Sequence, residues 1–425
     1  MKLFEVLQQR NLIENLTSEE LIEKINTGGL TFYAGFDPTA NSLHIGHLAV
    51  LNFMRIMQKG GHTPIGLVGG ATGMIGDPGG KSEERKLLGS AELEENVKGM
   101  KQQMEKYLHF DGNTGASIVN NYDWFSKWSY IDFLREVGKH FSVNTMIARD
   151  SVKNRIDRDG EGISYTEFSY MILQAFDFLY LSREKDCTLQ IGGSEQWGNI
   201  VSGIDLTRRL DQKQLYGVTI PLITKADGTK FGKTETGTLW LDEQKTSPYE
   251  LYQYFMRQPD EDIIRLIKVL TEVPLDEIEE LEKGVKNEPH LRAAQKLLAR
   301  EIVDAVHGAE AADAAIRASK VLFGEKIENL DDALIGEIFK DVPSIEKEIT
   351  VLHQGWSLVD ALVETGLCKS KGQARKLIQG RGAYVNNHMV EEIEMMLHSQ
   401  SLASESFLVL RSGKKNYRLV RFCLM

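Results

Sequence analysis

Short apolar runs alternate with longer amphipathic stretches through the first half of the chain. The runs have the length and the β-branched or aromatic content of buried strands, and they occupy residues 30–36, 64–70, 116–119, 187–191 and 215–221. The amphipathic stretches repeat apolar residues at helical spacing, and they occupy residues 48–57, 92–107, 128–138, 164–180 and 194–209. This alternation predicts an α/β fold with a parallel sheet, in which ligands bind at the carboxyl ends of the strands.

Polar residues mark where several of these helices begin. Residues 1–28 are predicted to form two short helices, with Thr17 as the N-cap of the second and Glu20 as its capping-box partner. Ser194 is predicted to cap the helix that follows it, and Ser247 is predicted to open a further helix.

The second half of the chain divides by pattern into three parts. Helical spacing continues to about residue 324, which predicts a helical domain. The acidic and weakly patterned stretch 331–350 is interpreted as a linker. Beyond residue 351 we predict a small α+β unit. Its elements are two helices, then a strand and a turn, at 357–362, 370–380 and 383–387.

Length and charge support this division. At 425 residues, about three domains are expected. The formal net charge of the chain is -11, yet residues 351–425 carry ten Lys and Arg against six Asp and Glu. A basic end on an acidic body indicates a polyanionic partner that docks there, although ordinary charge fluctuation would give the same asymmetry.

Three cysteines, Cys187, Cys368 and Cys423, lie far apart in the sequence. Their number and spacing fit neither a disulfide framework nor a zinc site, which predicts a reducing, cytoplasmic location. Charged residues interrupt the N-terminal stretch, so no signal peptide is expected, and no apolar run approaches the ~18 residues of a membrane span.

Two histidines, His44 and His47, lie where the first predicted strand passes into a helix. A helix N-terminus offers unpaired N–H donors and a partial positive charge, which suit phosphate. The histidines share one face of a helical turn, and Gly46 between them lets a ligand approach the backbone. Capping or packing histidines and a metal site are the alternatives, and the pair has no evident third metal ligand.

A glycine-rich stretch at 71–85 follows the second predicted strand and contains Gly80, Lys81 and Ser82. It is not a P-loop, because that motif requires a glycine at the position of Ile75. Lys81 and Arg85 in a mobile loop could close over a polyphosphate, or could simply face solvent.

Three polar residues follow one face of the helix predicted at 164–180. Tyr170, Gln174 and Asp177 are spaced i, i+4 and i+7 among mostly apolar neighbours. Buried polar groups need partners, which neighbouring strands or a small polar ligand could supply. Three such groups on one stripe favour the ligand.

Several motifs resemble those of class I aminoacyl-tRNA synthetases. Residues 38–47 resemble the HIGH signature, and residues 230–234 resemble the KMSKS signature with Phe and Gly at its centre. With the segments 33–39, 170–177 and 190–199, they make the chain similar to bacterial tyrosyl-tRNA synthetases over essentially its whole length. One departure is Glu195, where the family commonly has Asp.

The resemblance implies four segments: a Rossmann-like catalytic domain, a KMSKS-type loop with a helical domain, a linker and an S4-like RNA-binding domain, at 1–220, 221–330, 331–350 and 351–425. It implies the activity of a tyrosine–tRNA ligase. ATP activates L-tyrosine to tyrosyl-adenylate, and the tyrosyl group then passes to the 3′ end of tRNA(Tyr). Mg²⁺ is expected to accompany ATP without a dedicated protein metal site. The family also implies a homodimer.

The resemblance also implies roles for individual residues. Those implied in catalysis are His44, His47, Thr39, Lys230, Lys233, Thr234, Lys81 and Arg85. Those implied in tyrosine binding are Tyr33 and Asp177 at the phenol hydroxyl, with Asp77, Tyr170, Gln174 and Gln190. Those implied in ATP binding are Gly35, Asp37, Gly46, Gly192, Glu195 and Lys233. Those implied in tRNA binding are Lys371, Arg375, Lys376 and Arg381.

Other functions share part of this pattern. A tryptophanyl-tRNA synthetase would not be expected to place Tyr33 and Asp177 towards a phenol, or to carry the S4-like tail. A small nucleotidyltransferase shares the histidine turn but needs neither the tail nor the helical domain. A catalytically silent RNA-binding relative would be expected to lack the histidines or the loop lysines. The basic tail could instead be a helical cap on a dimer.

Overall fold

The structure is a computed structural model. It describes residues 1–78, 89–149, 152–153, 156, 162–224, 231–234, 237–322, 324–328, 330–340, 342–413 and 416–423, without the side chains of residues 90, 233 and 234. Most of the loop predicted at 149–162 lies outside these residues. The chain forms two compact units, which are Met1–Ser247 with Phe255–Val306, and Pro248–Tyr254 with His307–Met425.

The first unit contains a six-stranded sheet. Its strands are β1 (Asn15–Leu16), β2 (Thr31–Phe36), β3 (Thr63–Val68), β4 (Ser117–Asn120), β5 (Cys187–Gly193) and β6 (Tyr216–Ile220). They lie in the order β1-β6-β5-β2-β3-β4, and all neighbours are parallel except β1 and β6. The predicted parallel sheet is confirmed, and each predicted buried strand is present.

The order of strands reverses between β2 and β5. From β2 the chain continues through β3 to β4 on one side, whereas β5 and β6 lie on the other. In open parallel sheets, the crevice at such a reversal is the usual ligand site, because the connections leave in opposite directions. The histidine turn follows β2, and Gly192 lies at the carboxyl end of β5, so both predicted nucleotide segments meet at this crevice.

Helices connect the strands. They are α1 (Leu3–Gln9), α2 (Glu20–Thr27), α3 (Leu48–Lys59), α4 (Ser90–Tyr107), α5 (Tyr122–Phe125), α6 (Tyr130–Glu136), α7 (Val143–Ile147), α8 (Tyr165–Glu184) and α9 (Trp197–Asp211). The helix predicted at 128–138 is shorter, because the Ser129 side chain accepts a hydrogen bond from the Asp132 N–H and caps α6 at that point.

Thr17 is not the cap that its sequence position predicts. Its hydroxyl accepts a hydrogen bond of 2.8 Å from the Gly217 N–H, and its own N–H donates to the Gly217 carbonyl. Residues Asn15–Leu16 form the short strand β1 against β6, so α2 begins only at Glu20. The Thr17 hydroxyl is therefore used in long-range pairing with β6 and does not cap α2.

Ser194 does not cap the helix after β5 either. Ser194–Gln196 is itself a single 3₁₀ turn, and α9 begins at Trp197 without a side-chain cap. The tighter turn is compatible with the abrupt change from strand to helix at this end of the sheet.

The stretch predicted to be helical after residue 247 is helical. Before it, β7 (Lys233–Thr234) and β8 (Gly237–Thr238) form a small antiparallel pair. The helices are α10 (Pro248–Met256), α11 (Asp260–Leu270), α12 (Leu275–Asn287), α13 (Ala293–His307) and α14 (Ala309–Val321). No helix within the described ranges is both long and apolar enough to cross a membrane.

The second unit contains a five-stranded sheet. Its remaining elements are β9 (Ser344–Glu348), β10 (Trp356–Ser357), β11 (Ala383–Val385), β12 (His388–Val390), β13 (Met396–Leu397), β14 (Phe407–Ser412) and β15 (Asn416–Cys423), with the helices α15 (Asp332–Ile338), α16 (Thr350–Gln354), α17 (Leu358–Glu364) and α18 (Lys371–Gln379). The sheet has the order β12-β11-β14-β15-β9, and β10 pairs separately with β13.

The stretch 331–350 was predicted as a linker, and this prediction is wrong for most of its length. It contains α15, which Asp331 caps by accepting a hydrogen bond from the Leu334 N–H, and β9, which pairs in parallel with β15. The alternating exposure of β9 shows why the stretch lacked an apolar signal, since an edge strand buries little of its side-chain surface.

Candidate active site

A cavity of about 560 Å³ opens at the reversal between β2 and β5. It collects polar residues from distant parts of the first unit. Among its lining residues are the predicted Tyr33, Gly35, Asp37, Thr39, His44, Gly46, His47, Asp77, Tyr170, Gln174, Asp177, Gln190, Gly192 and Glu195. The volume is that of a small-molecule site, for which pockets of roughly 300–1,000 Å³ are usual.

The two histidines stack at one end of the cavity. Their ring centroids are 3.9 Å apart and their planes lie 20° from parallel. The His44 Nδ1 accepts a hydrogen bond of 3.1 Å from the Gly46 N–H, and the His47 Nδ1 accepts one of 3.2 Å from the His44 N–H. With both Nδ1 atoms used as acceptors, the neutral rings carry their protons on Nε2.

Burial and the neighbouring His44 hold the pKa of His47 well below its usual range. His47 is therefore neutral near pH 7, and its Nε2–H is a donor that carries no net charge. Gly46 is required by this packing, because a Cβ there would lie 2.9 Å from the His44 ring. The histidine turn thus presents N–H donors to the cavity.

A second segment, residues 239–241, holds the histidine turn through backbone hydrogen bonds. The Ile45 N–H donates to the Leu239 carbonyl at 3.1 Å, and the Leu241 N–H donates to the Leu43 carbonyl at 2.8 Å. The Leu239 N–H in turn donates to the Gly232 carbonyl. The Gly232 backbone, in the middle of the KMSKS-like segment, is thereby linked to the histidine turn through Leu239.

Asp177 lies at the other end of the cavity and is buried. Its Oδ1 accepts a hydrogen bond of 2.9 Å from the Trp124 Nε1–H, and its Oδ2 accepts one of 3.0 Å from Asn121 Nδ2. Burial raises the pKa of Asp177 well above its usual range, and these two N–H donors oppose that rise. The carboxyl group is therefore fixed in orientation inside an apolar wall.

Two buried polar atoms on the cavity wall have no hydrogen-bond partner among the described residues. They are the hydroxyl oxygen of Tyr33 and Oε1 of Gln190, which sit on neighbouring strands β2 and β5. Their side chains are 1% and 2% exposed. Since buried polar groups are nearly always paired in native proteins, these atoms indicate a polar ligand.

An amide network lies between the two ends. Gln196 Nε2 donates 2.7 Å to the Asp77 carboxylate, Gln174 Nε2 donates 3.1 Å to Gln196 Oε1, and Asn199 Nδ2 donates to Gln174 Oε1. The network fixes the oxygen atoms of Asp77 and Gln174 at the cavity wall.

Asp37 is held in a similar way. It accepts hydrogen bonds from the hydroxyl groups of Thr72 and Tyr170, at 2.9 and 2.8 Å. Both carboxylates of this region, Asp37 and Asp77, therefore have a fixed orientation.

The carboxyl end of β5 brings the backbone to the cavity. Gly192 and Gly193 line it, and a Cβ on Gly193 would overlap the Glu195 carboxylate. Glu195 is exposed and also lines the cavity.

Some predicted site residues are not placed by the structure. Lys81, Arg85 and Lys230 lie outside the described residues, and Lys233 and Thr234 are described only as the backbone of β7. Within the described part of the chain, no group of three or more His, Cys, Asp and Glu side chains is arranged to hold a metal ion.

The four predicted tRNA-binding cations, Lys371, Arg375, Lys376 and Arg381, are exposed in the second unit. They lie on α18 and just after it. Lys371 pairs with Asp360 at 2.6 Å and Arg381 pairs with Glu391 at 3.2 Å, so part of the positive charge is offset.

Sequence analysis missed the residues that support Asp177 and Asp37. Asn121 directly follows β4, so its position at the carboxyl end of a strand was the available signal. Trp124 and Thr72 had no comparable signal, because only the fold brings them to a carboxylate far away in sequence.

Comparison with known families assigns both parts of the chain. Residues 25–324 match the family described as tRNA synthetases class I (W and Y). Residues 335–420 match the family described as Tyrosine--tRNA ligase SYY-like C-terminal domain.

Similar proteins extend over the whole chain. A tyrosine–tRNA ligase of Geobacillus stearothermophilus is 50% identical over 428 aligned positions, covering 99% of this chain and 100% of the relative. One from Rhodopirellula baltica is 48% identical, covering 99% and 96%. A truncated mitochondrial tyrosyl-tRNA synthetase of Aspergillus nidulans superposes with a TM-score of 0.68 at 31% identity, covering 76% of this chain and 94% of that one. The chain therefore belongs to the class I tRNA synthetases of the tryptophan and tyrosine group, with the C-terminal domain of tyrosine–tRNA ligases.

Proposed function

We propose that this chain is a tyrosine–tRNA ligase whose activation step takes place in the cavity between β2 and β5. A carboxylate oxygen of L-tyrosine attacks the α-phosphorus of ATP, and the bond from that phosphorus to the bridging oxygen of the pyrophosphate breaks. A terminal ribose hydroxyl of tRNA(Tyr) then attacks the activated carbonyl carbon, and AMP leaves. The protein positions the reactants and stabilises charge, so no protein nucleophile is required.

The observation that carries this proposal is the pair of polar groups at the buried end of the cavity. The unpartnered Tyr33 hydroxyl and the fixed Asp177 carboxyl can together bond a phenol hydroxyl, which is both donor and acceptor. Phenylalanine would leave the Tyr33 hydroxyl unpaired, and a buried unpaired group costs about 1–3 kcal/mol. An indole N–H is only a donor, so tryptophan matches this pair less well.

The middle of the cavity suits the polar part of an amino acid. The Asp77 carboxylate and the Gln174 oxygen can accept hydrogen bonds from an α-ammonium group, with Tyr170 beside them. The unpartnered Gln190 Oε1 supplies a further acceptor. The proposal therefore puts the ammonium between the phenol end and the histidine turn.

The histidine turn suits the triphosphate. His44 and His47 present Nε2–H donors, and Thr39 lies on the same wall. Family resemblance assigns the remaining stabilisation of the phosphate charge to Lys81, Arg85, Lys230, Lys233 and Thr234. In this proposal, Mg²⁺ arrives as the counter-ion of ATP. Gly35, Gly46 and Gly192 leave room for the nucleotide, and Asp37 and Glu195 are acceptors for its hydroxyl groups.

The basic C-terminal domain is assigned to tRNA. Lys371, Arg375, Lys376 and Arg381 are exposed cations of the kind that contact an RNA backbone. The proposal places the reaction in the cytoplasm, a reducing compartment in which the free Cys187, Cys368 and Cys423 are expected.

The experiment that tests the activation step is pyrophosphate exchange into ATP without tRNA, with tyrosine, tryptophan and phenylalanine measured separately. We expect exchange with tyrosine alone, because only a phenol pairs with both Tyr33 and Asp177. Exchange with tryptophan instead would support the tryptophanyl alternative. Absence of exchange with all three would contradict the proposal and favour an RNA-binding role.

The proposal includes a homodimer, supported by an apolar surface on the first unit. This surface consists of Tyr130, Ile131, Val143, Ile147 and Tyr165, whose exposed fractions range from 41% to 66%. The hydroxyl groups of Tyr130 and Tyr165 lie 3.1 Å apart. Large exposed apolar side chains grouped on neighbouring helices are typical of a protein interface, and the family resemblance names a second copy as the occupant.

We expect the double variant Ile131→Arg, Val143→Arg to sediment as a monomer at concentrations where the unmodified protein sediments at twice the mass of one chain. Two desolvated arginines without partners would strongly oppose association. Leu291→Arg is the matched control, because Leu291 is also exposed but belongs to the helical stretch. Dimers of the double variant that are as stable as those of the control would place the interface elsewhere.

A further inference from the structure

We propose that Gln103 of α4 is a positioning residue for the histidine turn. The inference deepens the proposed function and rests on it. It starts from the segment 37–44, which connects β2 to the turn and has no regular secondary structure. The backbone groups of such a segment need partners from elsewhere, and the segment is buried in part, since Leu43 and Ser42 are 0% and 3% exposed.

Helix α4 supplies those partners from one face. Gln103 Oε1 accepts a hydrogen bond of 2.7 Å from the Leu43 N–H, and Gln103 Nε2 donates 3.0 Å to the Ser42 hydroxyl. Two turns earlier, Asn96 Nδ2 donates 3.0 Å to the Pro38 carbonyl. Positions 96 and 103 lie on one side of the helix, so the two side-chain amides bind the segment 37–44 near its two ends.

Gly99 lies between Asn96 and Gln103, and its lack of a side chain lets the segment 37–44 approach α4 closely. A Cβ at this position would overlap the Asn41 carbonyl oxygen. A glycine inside a helix costs roughly 1 kcal/mol relative to alanine, so its presence here is explained by the close approach of the segment 37–44 to the helix.

The contact of Gln103 acts directly on His44 through the preceding peptide. Leu43 is held from two sides, its N–H by Gln103 and its carbonyl by the Leu241 N–H at 2.8 Å. His44 follows with an extended backbone, and its own N–H donates to His47. Without Gln103, one of the two restraints on Leu43 is lost, and a buried N–H is left unpaired.

The test compares Gln103→Leu with Gln102→Leu. The neighbouring Gln102 is exposed, so it provides the same chemical change away from the segment. We expect Gln103→Leu to lower kcat for pyrophosphate exchange about 10- to 100-fold, since small misplacements of catalytic groups have effects of that size. The KM for tyrosine should stay within twofold, because the phenol end of the cavity is untouched.

Equal kcat for the Gln103 and Gln102 variants would overturn the inference, and so would a loss confined to the KM for tyrosine. The unmodified protein is assayed in parallel. Its failure to exchange would count against the proposed function, whereas its activity with an unaffected Gln103→Leu counts against the positioning role alone.

If Gln103→Leu does not fold, a second pair of variants tests the same positioning of the histidine turn. Gly99→Ala adds one methyl group against the Asn41 carbonyl, whereas Gly284→Ala adds one in open space on α12. We expect only Gly99→Ala to lower kcat for exchange, and equal kcat values would overturn the inference.

Discussion

Asp177→Ala is expected to lower the preference for tyrosine over phenylalanine by at least ~10²-fold in kcat/KM for pyrophosphate exchange. The carboxyl group is buried and fixed by Asn121 and Trp124, so its removal takes away a hydrogen bond from tyrosine. Phenylalanine has no hydroxyl group to bond to Asp177, so the variant takes no hydrogen bond away from phenylalanine. A 10²-fold change corresponds to about 2.7 kcal/mol. Tyrosyl-tRNA synthetases are the established example of such discrimination, at about 10⁵-fold.

Both amino acids have to be measured on the same preparations, because the variant also leaves Asn121 and Trp124 short of a partner. Asp123→Ala is the matched control, since Asp123 is exposed and lies next to Trp124 in α5. If Asp177→Ala lost activity equally with tyrosine and phenylalanine, the assignment of Asp177 to the phenol would be wrong.

His44→Ala is expected to lower kcat for tyrosine activation by about 10²–10³-fold, which is the usual effect of removing one donor to a developing negative charge. His44 lines the cavity, and because its Nδ1 accepts a hydrogen bond from the Gly46 N–H, the neutral ring carries its proton on Nε2. Tyrosine binding, measured by equilibrium dialysis without ATP, should change little, since Asp177 lies at the other end of the cavity.

The matched control is His290→Ala, because His290 is exposed in the helical stretch away from the cavity. Two results would contradict the role given to His44. One is a kcat within twofold of the control, and the other is a loss of tyrosine binding as large as the loss of kcat.

The main sheet was predictable because its central strands are buried on both faces. β2, β3, β5 and β6 appear in the sequence as continuous apolar runs, and apolar side chains such as Ile65 and Leu189 are at most 1% exposed. The stripe of Tyr170, Gln174 and Asp177 on α8 was also predictable, since helical spacing alone places these residues on one face.

Pairing between distant segments was not predictable from local pattern. The sequence at Thr17 fits a capping box. In the structure the Thr17 hydroxyl instead accepts a hydrogen bond from the Gly217 N–H, so Thr17 is paired with a distant strand. Likewise, β9 shows charged residues in a weak alternation, and its identity as a strand depends on β15. In both places a long-range hydrogen bond decides between two locally acceptable structures.

The residues of the candidate site likewise fall into those that the sequence could indicate and those that it could not. Several cavity-lining side chains that are proposed to meet a ligand, such as His44 and Tyr170, follow a strand end or share one helix face, so the sequence pattern could indicate them. Side chains that orient those groups, such as Trp124 and Gln103, lie on other elements, and nothing near them in sequence indicates which backbone or carboxylate they will meet.

The parallel pairing of β9 with β15 has a consequence for how the protein is made. The N-terminus of the chain leaves the ribosome first, so the sheet of β1 to β6 can form while the C-terminal domain is still being translated. β9, by contrast, emerges early and has no strand to join until β15 follows. An unpaired strand edge is open to self-association, and charged side chains are a common protection. Glu346, Lys347 and Glu348 place three charges on β9 during this interval, and such charges oppose the self-association of an unpaired strand edge.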